Sequence, residues 1–300
     1  MKSIAAIVML VVAIAAGTWS DRPQIHAAMS VGGYRVLAAD FHVHSTVPGA
    51  ALLGPWDLVL EARRQGIDAF VLTPHNQIVS AKIGRWFSRL VRGPLVIVGE
   101  EVRRLRYHLI AAGIEQQITP TMPAVDAIAE VHRQGGVAIA AHPIAEFWPA
   151  YSGAALAQLD AAEVMQPRAF FEPYIRLELQ QFLRRGGMTP IGSSDYHGIG
   201  ALGLPRTYVF ATGESEAAVL DAVRAGRTVV YGVDGEAYGD SKLIRLAAAD
   251  GRLPIRNPDD RRETTPAVLS RLTGILALLA ATSAVYRSAT TIRRRSDAEH

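Results

Sequence analysis

The sequence predicts an α/β barrel of about seven strand–helix units, and three observations predict it. Short apolar runs alternate with helical patterns from about Tyr34 to Gly239. Six of the nine histidines, with Glu100 and Asp195, fall at the ends of those runs. The 300 residues suffice for one barrel of ordinary size with an appendage at each end.

The apolar runs at 36–41, 69–73, 95–99, 108–112, 137–141, 162–165 and 189–193 have the length of buried strands. Helical patterns at 55–65, 121–134, 153–159 and 170–185 separate several of them. The first opens on Pro55 and stops at Gly66, and Gly135–Gly136 closes the second. Such alternation argues for parallel units, and about seven strands suit a barrel better than an open sheet. A further strand, helix and strand follow at 207–212, 214–225 and 227–231. The barrel domain is expected to span 34–240, followed by a linker at 241–266 whose latter part is rich in Pro, Asp and Arg.

Hydrophobic residues make up 49% and charged residues 20%, enough for a large core and against wholesale disorder. The net charge is only +3, with basic residues gathered at Arg293, Arg294 and Arg295, which argues against a nucleic-acid partner. The absence of cysteine excludes disulfides, thiolate catalysis and cysteine zinc sites. Residues 4–17 are apolar, so 1–30 is expected to be a signal peptide or N-terminal anchor. A C-terminal transmembrane helix is expected at 267–290, with Arg271 snorkelling and Arg287 and Arg293 to Arg295 cytoplasmic. Lys2 puts the N-terminus on the same side. The expected location is therefore the cell membrane, with the central domain periplasmic or extracytoplasmic.

His42 and His44 stand two residues apart in DFHVH, a spacing that puts both rings on one side of a strand. His75 closes LTPH, Glu100 lies in VGEE, His108 opens HLIAAG, His142 ends AAHP, and Asp195 and His197 end GSSDYH. Strand ends converge on one face of a parallel barrel. Imidazoles and carboxylates suit zinc, manganese or iron, and eight ligands are too many for one ion. A carboxylate can bridge two ions; Glu100 is the expected bridge, with Glu101 turned away by alternation. Asp40 and Glu163 are candidates to orient ligands. His132 near a helix end, and His26 and His300 near the termini, need no part in chemistry.

The motifs DFHVHS, LTPHN, GEE followed by YHLIAAG, GGVAIAAHP and GSSDYH resemble those of the PHP (polymerase and histidinol phosphatase) superfamily over roughly residues 36–235. The stretch 222–226 is similar to a membrane-associated branch of it. The resemblance implies a distorted (β/α)7 barrel with two or three divalent ions. Carried over by motif, His42, His44, Glu100 and Asp195 hold one ion, Glu100, His108 and His142 a second, and His75 and His197 contribute to a third. Two departures weaken that third site. Gly49 or Ala50 stands where an acidic residue or histidine is usual, and Thr73-Pro74-His75 replaces a TDH.

The expected activity is metal-dependent hydrolysis of a small-molecule phosphoester, using a hydroxide generated by the ions, with His197 or His75 protonating the leaving group. Arg103, Arg104, Arg106, Arg168 and above all Arg206 are candidates to bind phosphate. The alternatives are hydrolysis of an amide, ester or carbamate at the same site, or a membrane-tethered domain that binds metal without catalysis.

Overall fold

The computed structural model describes residues 2–20, 29–47, 49–198, 200–233, 235–253, 268–270 and 272–283. The chain divides into two units, Met1–Pro23 with Arg261–His300, and Gln24–Asp260. His26, Arg271, Arg287, Arg293 to Arg295 and His300 lie outside the described residues, as does the linker stretch 254–266.

In the first unit, α1 (Lys2–Ser20) and residues 272–283 are helical. Ser270 Oγ donates to the Ala13 carbonyl at 2.7 Å, and Ala13 and Ala277 are buried. The expected transmembrane termini and cell-membrane location are not met. Among the described residues, no helix is long and apolar enough to cross a membrane. The uninterrupted apolar stretch 4–16 is about 20 Å of helix and 272–283 about 18 Å, against a hydrocarbon core of about 30 Å.

The second unit begins with β1 (Met29–Val31), β2 (Tyr34–Val43), α2 (Pro55–Arg64), β3 (Ala69–Leu72), α3 (Val79–Val91) and β4 (Leu95–Arg104). Next come β5 (Tyr107–Ala112), α4 (Ala124–Arg133), β6 (Val137–Ala140), α5 (Ala154–Gln158), β7 (Ala161–Met165), α6 (Pro167–Phe171) and α7 (Pro173–Leu183). It ends with β8 (Thr189–Gly192), β9 (Thr207–Ala211), α8 (Glu216–Arg224), β10 (Thr228–Tyr231), β11 (Ala237–Gly239) and α9 (Ser241–Asp250). The strands form one sheet in the order β11-β10-β9-β2-β3-β4-β5-β6-β7-β8, with β1 beside β2. Among the described residues that makes eleven strands where about seven were expected, in a barrel-like sheet that nearly closes. Beyond β8, the Tyr196 carbonyl accepts from His44 N at 3.0 Å, and Tyr196 N donates to the His42 carbonyl at 3.3 Å.

The strand directions also differ from the all-parallel expectation. β2, β3 and β4 are parallel, as are β6, β7 and β8, but β5 is antiparallel to both its neighbours. β4 runs past its apolar stretch to Arg104 and turns back at 105–106. No Gly or Asn marks that turn. The expected linker begins with a helix, because Asp240 caps α9 through Lys242 N and Leu243 N, and Leu243 and Ala247 pack with Val31, Val36 and Phe210.

The two parallel triplets share a device. Asp68, just before β3, exchanges hydrogen bonds with Ala38 on β2: Ala38 N donates to Asp68 Oδ2, and Asp68 N donates to the Ala38 carbonyl, both at 2.8 Å. Its carbonyl accepts from Leu95 N on β4 at 2.9 Å. Asp160, just before β7, makes the same three bonds with Ala138 on β6 and Thr189 on β8, at 2.8, 3.1 and 2.9 Å. Each aspartate fixes the register of three strands at once. α8 covers the same end of the barrel, taking the Thr189 hydroxyl on the Val223 carbonyl.

Candidate metal centre

β2, β3, β4, β6 and β8 bring their carboxyl ends to one side of the barrel. Antiparallel β5 brings its first residues, Tyr107 and His108, to that same side. On β4, Val96, Val98 and Val102 pack in the layer beneath the helices, whereas Ile97 packs with the barrel interior. The period of two therefore turns Glu101 inward and Glu100 outward.

Glu101 lies amid five imidazoles. Its Oε2 is 2.9 Å from His75 Nε2 and 3.5 Å from Nε2 of both His42 and His44. Its Oε1 is 2.7 Å from His108 Nδ1 and 3.3 Å from His142 Nε2. Asp195 Oδ1 lies 3.1 Å from His44 Nε2, and 3.5 Å from His42 Nε2 and from His197 Nδ1. Among the described residues, three groups have ligand atoms close enough to share an ion: His42, His44 and Glu101; Glu101, His108 and His142; and His44, His75 and His197.

The structure thus brings together His42, His44, His75, His108, His142, Asp195 and His197, and replaces Glu100 by Glu101. Glu100 is buried on the other face of β4, where Oε1 accepts from Ile118 N and Oε2 has no partner among the described residues. Burial pushes its pKa up to about 7. The inward phase of Ile97, two and four residues before Gly99 and Glu101, is the signal in the sequence that distinguishes the two glutamates. Arg206 also departs from expectation. It is buried and donates to the carbonyls of Gly203, Gly66 and Gln65, so it ties loops together and does not face the cluster. His132 pairs with Asp160 at 2.8 Å, at the opposite end of the strands.

Two buried acids brace the ligands. Glu163 Oε1 holds His42 Nδ1 at 2.9 Å, and its Oε2 accepts from His142 N at 2.6 Å. Asp40 Oδ1 accepts from His42 N at 3.2 Å and Ser194 N at 3.0 Å; Oδ2 accepts from Ser194 Oγ at 2.5 Å and Gly203 N at 2.8 Å. Gly203 is required there, since a Cβ at its φ of +70° would meet Ile67 Cδ1 at 2.2 Å. Asn76, His142 and Asp195 also hold positive φ, at 49°, 27° and 43°. Backbone strain at three such residues around one cluster is typical of a built site. Removing the Glu163 brace should matter. Glu163→Ala is expected to weaken metal binding roughly 10- to 100-fold, read by titration of the metal-free protein with zinc.

The electrostatics call for a cation. Burial disfavours a charged His42, yet Asp195, Glu163 and Glu101 outweigh it and hold its pKa well above the ordinary value. Burial lowers His44 to about 4, so that ring is neutral, as a ligand must be. Burial opposes ionisation of Glu101, but His42 and the imidazoles bonded to it hold its carboxyl well below the usual range. Despite the nearby carboxylates, His42 Nε2 and both ring nitrogens of His44 are buried without a hydrogen bond among the described residues. Unpaired buried nitrogens facing carboxylate oxygens fit divalent ions: the donor set is nitrogen and oxygen, and Glu163 fixes the far side of the His42 ring.

The family described as PHP-associated matches residues 178–228, from α7 through Asp195 and His197 to α8. An uncharacterized protein of Methanocaldococcus jannaschii is 25% identical over 121 residues, 36% of this chain and 68% of that one. A two-domain protein of Bacteroides vulgatus, containing a predicted PHP-like metal-dependent phosphoesterase, has a similar solved structure. The TM-score is 0.59 and the identity 24%, over 76% of this chain and 74% of that one. That likeness is one of fold, and none of these relatives bears on a membrane-associated branch. The PHP-associated match covers the C-terminal part of the barrel, and the barrel itself is shared with the Bacteroides vulgatus structure.

Proposed function

We propose that this protein is a metal-dependent hydrolase that cleaves a small-molecule phosphoester at a centre bridged by Glu101. One observation carries the reading: each oxygen of a single buried carboxylate faces a different set of imidazole nitrogens. A network of ordinary ion pairs does not account for it, because five imidazoles in so small a volume cannot all be charged. His42, His44, Glu101 and Asp195 would hold one ion, and Glu101, His108 and His142 a second. His75 and His197 would complete a third position that shares His44 with the first. Zinc, manganese and iron all suit these donors.

When bound, such ions would supply Lewis acidity and make a water molecule acidic enough to react near neutral pH. The chain's own residues do the rest. Glu163 accepts a hydrogen bond from His42 Nδ1–H and so aims Nε2 at Glu101 and Asp195. His197 Nδ1 lies 2.8 Å from the Asp195 carbonyl, which only accepts, so Nδ1 carries a proton and Nε2 is the nitrogen left for an ion or a proton. At 39% exposure His197 is the most accessible of the six rings, which suits it to pass a proton to a leaving oxygen. His75 is held by Glu101 and is less free for that step.

The description of the Bacteroides vulgatus relative as a predicted phosphoesterase favours a phosphoester over a carbonyl substrate. The test is metal analysis with a turnover panel of nitrophenyl phosphate, a nitrophenyl phosphodiester and a nitrophenyl carboxyl ester, with zinc or manganese. At least two ions per chain and phosphoester turnover that a chelator abolishes are expected. Turnover of the carboxyl ester alone would move the reading to a carbonyl hydrolase. Full metal content with no turnover would leave a binding domain.

A further inference from the structure

With Arg206 committed to loop carbonyls, a phosphoester needs another cation, and the β4–β5 hairpin offers one. Arg103 stands two residues beyond Glu101 on β4, hence on the same face and about 7 Å further along the strand. Across the ladder it pairs with His108, itself a member of the cluster. Its side chain is exposed, and among the described residues its guanidinium has no hydrogen-bond or ion-pair partner. Of the other candidates, Arg168 is held by Glu172 and Arg104 donates to the Pro120 carbonyl, while Arg106 lies in the turn at 105–106, beyond the end of β4.

The backbone under Arg103 is fixed in an unusual way. Asn76, which follows His75 and has a φ of 49°, accepts from Arg103 N at 2.9 Å through Oδ1 and donates through Nδ2 to the Arg103 carbonyl at 3.4 Å. Its own N–H donates to the Glu101 carbonyl at 3.0 Å, and Gln117 Nε2 donates to the Asn76 carbonyl at 2.5 Å. A strained residue beside one candidate ligand thus locks the strand that carries both Glu101 and Arg103. No core packing at this exposed position explains that clamp.

We propose that Arg103 binds the anionic phosphoryl group of the substrate at the mouth of the Glu101 cluster, on a backbone positioned by Asn76. The inference rests on the phosphoester reading above. A planar guanidinium can take two phosphate oxygens at once, leaving the others toward the cluster. Arg103 is a binding residue in this scheme, and Asn76 a positioning residue that acts through it.

The experiment uses the metal-loaded full chain as wild type, Arg103→Met and Arg103→Lys. Inorganic phosphate is the probe, titrated by calorimetry, with nitrophenyl phosphate kinetics and metal content alongside. Arg103→Met is expected to weaken phosphate binding roughly 10- to 100-fold and raise KM with little change in kcat or metal content; Arg103→Lys should recover part of the affinity. Asn76→Ala should raise KM in the same direction by a smaller factor, and add no further loss when combined with Arg103→Met. Phosphate affinity unchanged in Arg103→Met at full metal content would overturn the inference, as would a wild type that binds no phosphate. Wild-type protein that binds phosphate through Arg103 yet turns over only carboxyl esters would uphold Arg103 as an anion-binding residue at the cluster mouth and remove the phosphoester reading.

Discussion

Glu101→Gln should abolish the metal centre. The amide keeps the size of the side chain but loses the charge that both groups of imidazoles share, and one of its two ends becomes a donor facing ring nitrogens. Metal content is expected to fall below one ion per chain, and turnover by roughly a thousandfold, the equivalent of losing several kcal/mol of charge stabilisation. Glu100→Gln is the matched comparison. Its amide oxygen can still accept from Ile118 N, and it removes a carboxyl that burial already pushes toward its neutral form. Metal content and turnover close to wild type are expected there. Equal losses in both variants, measured by metal analysis and nitrophenyl phosphate hydrolysis, would mean that Glu101 has no special place.

Asp40→Ala is expected to have the largest effect on stability. Asp40 is fully buried, and its loss leaves His42 N, Ser194 N, Ser194 Oγ and Gly203 N without the acceptor they share. Each stranded donor costs about 1–3 kcal/mol, but burying the carboxyl is itself costly, as its pKa of about 6 indicates. The net loss should therefore be about 4 kcal/mol, a fall in Tm on the order of 10 °C by calorimetry. Asp40→Asn, which retains one acceptor oxygen, should lose less. An Asp40→Ala protein that melts within about 2 °C of wild type would show that the segment 193–203 is held by other means.

Much of the site was legible because metal ligands must sit where strands end, and apolar runs mark strand ends well. Five of the six histidines and Asp195 needed only that rule; His108 opens its run and joins them because β5 runs antiparallel. The choice between Glu100 and Glu101 needed the phase of a strand, and a slip of one residue reverses every side chain on it. Counting back from the end of the run selects Glu100; following the inward face from Ile97 selects Glu101. Arg206 misled because its place in sequence, just after GSSDYH, says nothing about which way a loop folds back.

The fold was less legible where local signals were weak or inverted. The turn between β4 and β5 contains Leu105 and Arg106, so nothing announced that β5 would run backwards. The sequence expectations included no helix at α3, and its pattern explains why. Ser80, Ala81, Gly84 and Ser88 are buried, while Val79, Trp86 and Leu90 are exposed. A Cβ on Gly84 would come within 2.9 Å of Leu72, so close packing selects small residues on the inner face and defeats a search for a large apolar stripe. The termini misled differently, since apolar composition alone does not supply a helix long and apolar enough to span.

The matching bonds of Asp68 and Asp160 make the barrel two half-shells, and the ligands are divided unequally between them. His42, His44, His75 and Glu101 belong to the first triplet, whereas His142, Asp195 and His197 follow strands of the second. The group His42, His44 and Glu101 therefore lies within one half and takes only Asp195 from the other, while the other two groups are joined across the seam. Loosening of one half against the other would empty the straddling positions together and leave the first with three of its four ligands. Partial denaturation should then reveal a stepwise order of ion release, with the halves acting as a hinge whose state the metal stoichiometry reports.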